Sequence, residues 1–186
     1  MSVNRGKQFE KVVQECFERI DDVSIDRIHD QTTGYKGSTN ICDFIVFRQP
    51  NEFYFECKTI HGNTLSIYSN PKEDKRGHVY GFYGDITDKQ WEGLAEKSQI
   101  EGVYAGILCW WVDKNVTRFI PIQNLQHIRD FCGAKSIKYD GTFPVVYDKH
   151  REYDRYENIE LIAERKRVFY DYDMEALLNE ITERYP

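Results

Sequence analysis

The sequence predicts a single α/β domain in which helices flank a central mixed β-sheet, and three observations predict it. An amphipathic helical pattern opens the chain, two short strand-like segments separated by a turn follow, and an apolar run of strand length occupies the middle. With 186 residues, 40% of them hydrophobic, the chain has material for one core,.

Taken in order, Phe9, Val12, Val13, Cys16, Phe17 and Ile20 recur at i, i+3, i+4 and i+7, giving a helix over 7–20 with one buried face,. Glu10 lies on the flank of that stripe. It is either an exposed helical carboxylate or one that reaches inward to a polar floor in the core. The stretch 30–40, DQTTGYKGSTN, is a loop by composition,. Its G-x-x-G-S-T is not a phosphate-binding P-loop, because Lys36 precedes the second Gly instead of following it,. Strands are expected at 42–48 and 53–58, within CDFIVFRQPNEFYFECK, joined at 48–51. Pro50 cannot adopt the positive φ of a type I′ turn, so a loop longer than two residues is expected.

The span 61–84, with its Gly, Asn and Pro, reads as irregular,. A helix follows, with Thr87 or Asp88 as N-cap and Trp91, Leu94 and Ala95 turned inward,. Residues 103–112 are too continuously apolar for a half-exposed strand and so belong in the middle of the sheet,. A further strand is expected at 116–122 and a short helix at 124–131. From 133 to 158 the chain is polar and tyrosine-rich without a usable period, and 174–181 reads as a closing helix,. The whole of 1–186 thus reads as one domain, with a core over about 4–131 and a C-terminal extension over 133–186.

The formal charge of −6 argues against binding nucleic acid through bulk charge, and leaves local basic patches open,. Lys72, Lys75 and Arg76, and the ERKR run at 164–167, are such patches, although each also carries acids and can equally form a solvated charged face,. Cysteines 16, 42, 57, 109 and 132 are widely spaced with no C-x-x-C pair, so neither a zinc site nor a disulfide framework is expected and a reducing cytoplasm is the natural setting,. No apolar run reaches the roughly 18 residues of a membrane span, and no signal-peptide pattern opens the chain, so no membrane partner is expected. The five histidines show no metal-ligand spacing; His61 follows the second strand closely and reads as a loop residue. One ring of the pair Trp110–Trp111 is expected in the core, and an exposed one would be free to stack on a base.

The chemistry centres on FYFECK. Strand alternation sends Phe53, Phe55 and Cys57 to one face and Tyr54, Glu56 and Lys58 to the other,. A symmetric hairpin pairs residues whose numbers sum to 99, which sets Asp43 opposite Glu56 unless a bulge shifts the register,. Two adjacent carboxylates repel unless a cation lies between them. A hard divalent ion such as Mg²⁺, held by one or two carboxylates and several waters, suits that place. Lys58 beside it can orient or deprotonate a water and offset oxyanion charge, a combination suited to phosphodiester hydrolysis. The competing reading is an ion pair across a hairpin surface.

D-x12-E-x-K on two strands, after a helix bearing a Glu, resembles the PD-(D/E)XK nuclease superfamily. More specifically, the chain resembles RecU-type Holliday-junction resolvases. The likeness is carried by NRGKQFE at 4–10, GSTNICD at 37–43, FYFECKT at 53–59 and TDKQWEGL at 87–94, and covers about residues 4–128. It implies a restriction-endonuclease-like core and a Mg²⁺-dependent endodeoxyribonuclease of DNA recombination and repair, with Mn²⁺ as a substitute. Asp43 and Glu56 would be metal ligands with the Cys57 carbonyl as a third. Lys58 would be the catalytic lysine, Glu10 an outer metal or water ligand, and Gln90 the helical glutamine that supports the site. Arg5 belongs to the first motif and, with Lys36, Lys72, Lys75 and Arg76, is a candidate DNA contact. The partner implied is branched DNA, bound by a homodimer. Restriction-type or repair cleavage of duplex DNA is the alternative within enzymes, and a non-catalytic DNA-binding module the alternative outside them. The chain departs from the family in having only about twenty residues between Ile20 and Asp43, where the family carries a long projecting segment. Cys42 replaces the family's hydroxyl, the interval from Lys58 to Gln90 is longer, and 133–172 has no clear counterpart.

Overall fold

Asn4 accepts a hydrogen bond from the Lys7 N–H and starts the first helix, α1 (Arg5–Phe17), in the computed structural model of the chain,. The structure describes residues 4–28, 40–67, 72–73, 75–77, 79–80, 84–147, 150–165 and 170–185. Phe9, Val12, Val13, Cys16 and Phe17 fill the buried face of α1 as the periodicity requires. The helix stops short of residue 20: the Glu18 N–H makes a last i→i−4 bond, to the Gln14 carbonyl, and the Ile20 N–H closes a tighter turn on the Phe17 carbonyl instead,.

A short edge strand, β1 (Ser24–Arg27), follows; at four polar-leaning residues it left no period to read. It pairs antiparallel with β2 (Phe44–Arg48), which forms a hairpin with β3 (Asn51–Ile60). Phe44 opposes Phe55 and Arg48 opposes Asn51, the predicted register. The loop is nevertheless two residues, not longer: the Gln49–Pro50 peptide is cis, a turn type that reverses the chain without positive φ,. Within 61–84, expected to be irregular, the chain makes three short strands, β4 (Thr64–Ser66), β5 (Lys72–Glu73) and β6 (Val79–Tyr80).

Helix α2 (Asp88–Lys97) is capped by Thr87 and buries Trp91 and Leu94. Strand β7 (Val103–Trp111), a single 3₁₀ turn, β8 (Val116–Pro121) and α3 (Ile122–Asp130) then follow. The region 133–158 is not without structure. It holds β9 (Ser136–Lys138), paired with β4, and a hairpin of β10 (Thr142–Tyr147) with β11 (His150–Arg155). The period was hard to read because Pro144, a residue rarely placed inside strands, stands between the buried Phe143 and Val145 of β10, while the sequence of β11, HREYDR, has no apolar alternation,. The chain ends with β12 (Ile159–Leu161), the pair β13 (Ala163–Arg165) and β14 (Tyr170–Tyr172), and α4 (Met174–Arg184).

The central sheet has the order β1-β2-β3-β7-β8-β12 and is mixed, β3 and β7 running parallel and every other neighbour antiparallel. One face packs against α1 and α4 through Phe44, Phe53, Phe55 and Leu108; the other packs against α2 and α3 through Tyr54, Ile107, Cys109 and Ile120. Strand β7 lies between β3 and β8 and is buried from Ala105 to Trp111, as its continuous apolarity requires. Among the described residues, no helix is long and apolar enough to cross a membrane.

Gly106 in β7 is needed for close approach. A Cβ there would fall 2.4 Å from the Ile120 carbonyl oxygen and 2.6 Å from the Phe119 ring, both immobilised in the core. Gly106→Ala is expected to cost about 3 kcal/mol through overpacking. A urea-denaturation midpoint equal to that of the wild type would contradict this.

Candidate active site

Strand β3 presents Glu56 and Lys58 on the face covered by α2, as alternation dictates. Glu56 is 4% exposed. Its Oε1 accepts from Lys58 Nζ at 2.9 Å and from Gln90 Nε2 at 2.6 Å. Gln90 stands in the first turn of α2, and its own Oε1 accepts from Lys58 Nζ at 3.1 Å and from the Thr87 N–H at 3.0 Å. One strand and one helix start therefore close a polar ring inside an otherwise apolar layer.

Asp43 enters from the adjoining strand, but not within a regular ladder. Ile28, just past β1, donates its N–H to the Asp43 carbonyl and draws the chain toward the edge strand. Asp43 N–H donates to the Phe55 carbonyl, so Asp43 and Phe44 both address Phe55 and strict opposition to Glu56 is lost. The Asp43 carboxylate takes over where the ladder ends: Oδ2 accepts the Cys57 N–H at 2.7 Å. Asp43 and Glu56 remain close enough for the Asp43 charge to raise the pKa of Glu56.

Glu10 is half-buried and not a solvated helical carboxylate. Arg27, on β1, binds it through a guanidinium N–H, and its charge raises the pKa of Asp43. Arg27 went unnoticed in the sequence, where SIDR carries no motif and only a register with β2 places its guanidinium beside α1.

The electrostatics follow from burial and count. Burial first, then the neighbouring Asp43 charge, pushes Glu56 up to about 8, against the pull of Lys58. Asp43 is raised by burial and by Glu10, with the Cys57 N–H and Lys58 opposing. Burial and the same two carboxylates push the Cys42 thiol up to about 12. Glu10, Asp43 and Glu56 thus face two cations, Arg27 and Lys58, leaving one negative charge in excess. Near neutrality the proton that burial and the Asp43 charge keep on Glu56 balances it,. A hard divalent cation fits the same place: two adjacent buried carboxylates are oxygen donors, and exchanging the proton for such an ion would take the cluster to one positive charge, which a bound phosphate would offset. Among the described residues no three or more His, Cys, Asp or Glu side chains converge as a complete cage, so such an ion would keep water ligands.

The N-terminal ends of two helices also meet the last residues of β3. Gly6 of α1 faces Thr59, where a Cβ would make an ordinary contact of 3.8 Å with the Thr59 Oγ1, while α2 brings Gln90. Exposed N–H groups at such ends favour anions. Arg5 belongs to this rim, exposed and hydrogen-bonded to Gln8. Lys75 and Arg76 are exposed in the turn between β5 and β6. Lys36, the side chain of Lys72, and residues 166–167 of the ERKR run lie outside the described residues. His61 is turned to Asp113, 3.4 Å away, and not to the carboxylates. Trp110 and Trp111 are both buried, where one was expected in the core, so neither is available to stack on a base.

No protein-family model matches the chain, and no curated protein does. Among solved structures it is similar to Archaeoglobus fulgidus Hjc, a Holliday junction resolvase from an archaeal hyperthermophile, with 15% sequence identity and a TM-score of 0.39. The match covers 65% of this chain and 78% of that one.

Proposed function

We propose that the chain is a Mg²⁺-dependent DNA endonuclease of the PD-(D/E)XK type that acts on branched DNA as a homodimer. The observation that supports this best is the buried cluster of Asp43, Glu56, Lys58 and Gln90, short of a positive charge, with the half-buried Glu10 near enough for its charge to raise Asp43. A surface ion pair across a hairpin would be exposed and self-neutralising; this cluster is neither. The stretches that resemble RecU-type resolvases contribute these same residues.

Asp43 and Glu56 would hold the ion, with the Cys57 carbonyl as a third protein ligand. When bound, Mg²⁺ lowers the pKa of water and offsets charge on a phosphoryl oxygen. The residues of the chain do the rest. Lys58, kept in place by Glu56 and Gln90, directs its ammonium at the attacking water or the developing oxyanion. Arg5 and the N–H groups at the start of α1 receive the DNA phosphate. Water attacks phosphorus in line, the bond to the 3′ oxygen breaks, and a proton passes to that oxygen, leaving 5′-phosphate and 3′-hydroxyl ends. Glu10, charge-balanced by Arg27, stands behind Asp43 as an outer partner for water.

Duplex cleavage is the second reading, favoured by the short interval between α1 and Asp43, where a junction-engaging projection has little room. The two are separated by incubating the chain and its Asp43→Ala variant with an immobile four-way junction and a linear duplex of the same arms. Paired Mg²⁺-dependent nicks confined to the junction, lost in the variant, are expected. Defined cuts in the linear duplex would favour the second reading. Junction binding without any scission would leave a non-catalytic binding module.

A further inference from the structure

The carboxamide of Gln90 serves two structures at once. Within α2 it completes the capping box: the Thr87 hydroxyl accepts the Gln90 N–H at 3.3 Å, and Gln90 Oε1 accepts the Thr87 N–H at 3.0 Å,. Toward β3 the same amide donates to Glu56 at 2.6 Å and accepts from Lys58 at 3.1 Å. An amide has one accepting and one donating end, and here the two cannot be exchanged. A backbone N–H only donates, so Thr87 requires the oxygen, and the NH₂ is left facing Glu56. Turned over, the amide would set its NH₂ against the Thr87 N–H and the Lys58 ammonium, and its oxygen against the Glu56 carboxyl. Three hydrogen bonds would become three repulsions.

We propose that Thr87 is a positioning residue for this site: its hydroxyl, by capping α2, holds the Gln90 backbone where the Thr87 N–H can grip the Gln90 carboxamide, and the carboxamide in turn places Glu56 Oε1 and Lys58 Nζ. Its functional consequence rests on the metal-dependent nuclease reading; its geometry rests on the hydrogen bonds alone. Partners that orient metal ligands are typically worth 10–100-fold in affinity or activity, so an effect of about tenfold is expected.

The test uses the full chain with Thr87→Val, which keeps the shape and removes the hydroxyl, and Thr87→Ser, which returns it. Asp173→Ala serves as a control for cap loss as such, because Asp173 caps α4 on the opposite face of the sheet, accepting the Ala176 N–H at 2.9 Å. Melting temperature, Mn²⁺ binding isotherms, and kcat and KM on DNA are measured for each. Thr87→Val and Asp173→Ala should melt lower by similar amounts. Only Thr87→Val should weaken Mn²⁺ binding about tenfold and lower kcat about tenfold at unchanged KM, and Thr87→Ser should restore both. Wild-type Mn²⁺ affinity in Thr87→Val overturns the proposal whatever the cleavage assay gives, as do equal losses in Asp173→Ala. A failure of the nuclease reading has a different signature: the wild type binds Mn²⁺ but cuts no DNA, and the isotherms still decide the role of Thr87. A wild type that binds no Mn²⁺ overturns this proposal and the metal reading together.

Discussion

Glu56→Gln is expected to abolish DNA cleavage and, in the same molecule, to raise the thermal stability of the metal-free chain at alkaline pH. Glu56 is 4% exposed, and its carboxyl is pushed up from 4.5 to about 8, first by burial and then by Asp43. Its folded-state pKa lies above its unfolded one, so the stability it contributes is complete below about pH 4.5 and is lost as pH rises through about 8,. Full ionisation costs the fold about 5 kcal/mol on that basis. Gln keeps an oxygen for Lys58 and Gln90, offers an NH₂ to Asp43 where the protonated carboxyl would donate, and never ionises. Wild type and variant should therefore melt together near pH 5 and separate with rising pH. At pH 9 the variant should melt higher by about 10 °C, taking roughly 2–4 °C per kcal/mol for a chain of this length. Mg²⁺ should stabilise the wild type by mass action, and increasingly so through pH 8 as the competing proton leaves, but not the variant. Loss of several kcal/mol of charge stabilisation at the reacting phosphate corresponds to about 10³-fold or more in cleavage rate. Retained cleavage, or a variant no more stable than wild type at pH 9, would show that Glu56 does not hold the excess charge.

What the sequence disclosed and what it hid divide along physical lines. The stripe on α1, the register of the β2–β3 hairpin and the apolar run of β7 were legible because each burial pattern repeats within one element. Glu56 and Lys58 were legible because alternation fixes their direction locally, whereas Gln90 was reached only through the resemblance of its stretch to RecU-type resolvases. The short strands were not, since Ser24–Arg27 and Ser136–Lys138 owe their state to partners distant in sequence,. Arg27 shares that fate: only the pairing of β1 with β2 brings its guanidinium to Glu10. The turn at Gln49–Pro50 failed for another reason. The sterics of φ exclude a type I′ turn but leave the cis alternative open, and neighbouring residues do not choose between them,. The departure of Asp43 from strict opposition to Glu56 likewise comes from the Ile28 N–H, a contact the hairpin alone does not contain.

Lys58→Met is expected to separate metal binding from catalysis. The Lys58 side chain is 17% exposed, and its ammonium donates to Glu56 and Gln90; Met preserves the unbranched apolar stem and removes only the charge,. Three carboxylates would then face Arg27 alone, so the cluster would draw a divalent cation more strongly. It would also draw a proton more strongly, because Lys58 is one of the groups holding the Glu56 pKa down. The sign of the net effect thus depends on pH. Mn²⁺ binding in the variant should develop at higher pH than in wild type, and then reach at least wild-type affinity once the protons are gone. Cleavage should not follow. Without an ammonium to steer the water or offset the oxyanion, kcat should fall about 10²–10⁴-fold at every pH, with KM for DNA little changed. Asp43→Ala, which removes a proposed ligand, should lose metal affinity and cleavage together, so the pair of variants distinguishes a group that handles the reaction from one that holds the ion. Wild-type kcat in Lys58→Met would remove the ammonium from the reaction, and a loss of Mn²⁺ affinity at all pH values would make Lys58 a scaffold for Glu56. If the chain were a binding module on this scaffold, the variant would still take up Mn²⁺ and there would be no wild-type scission for it to lose.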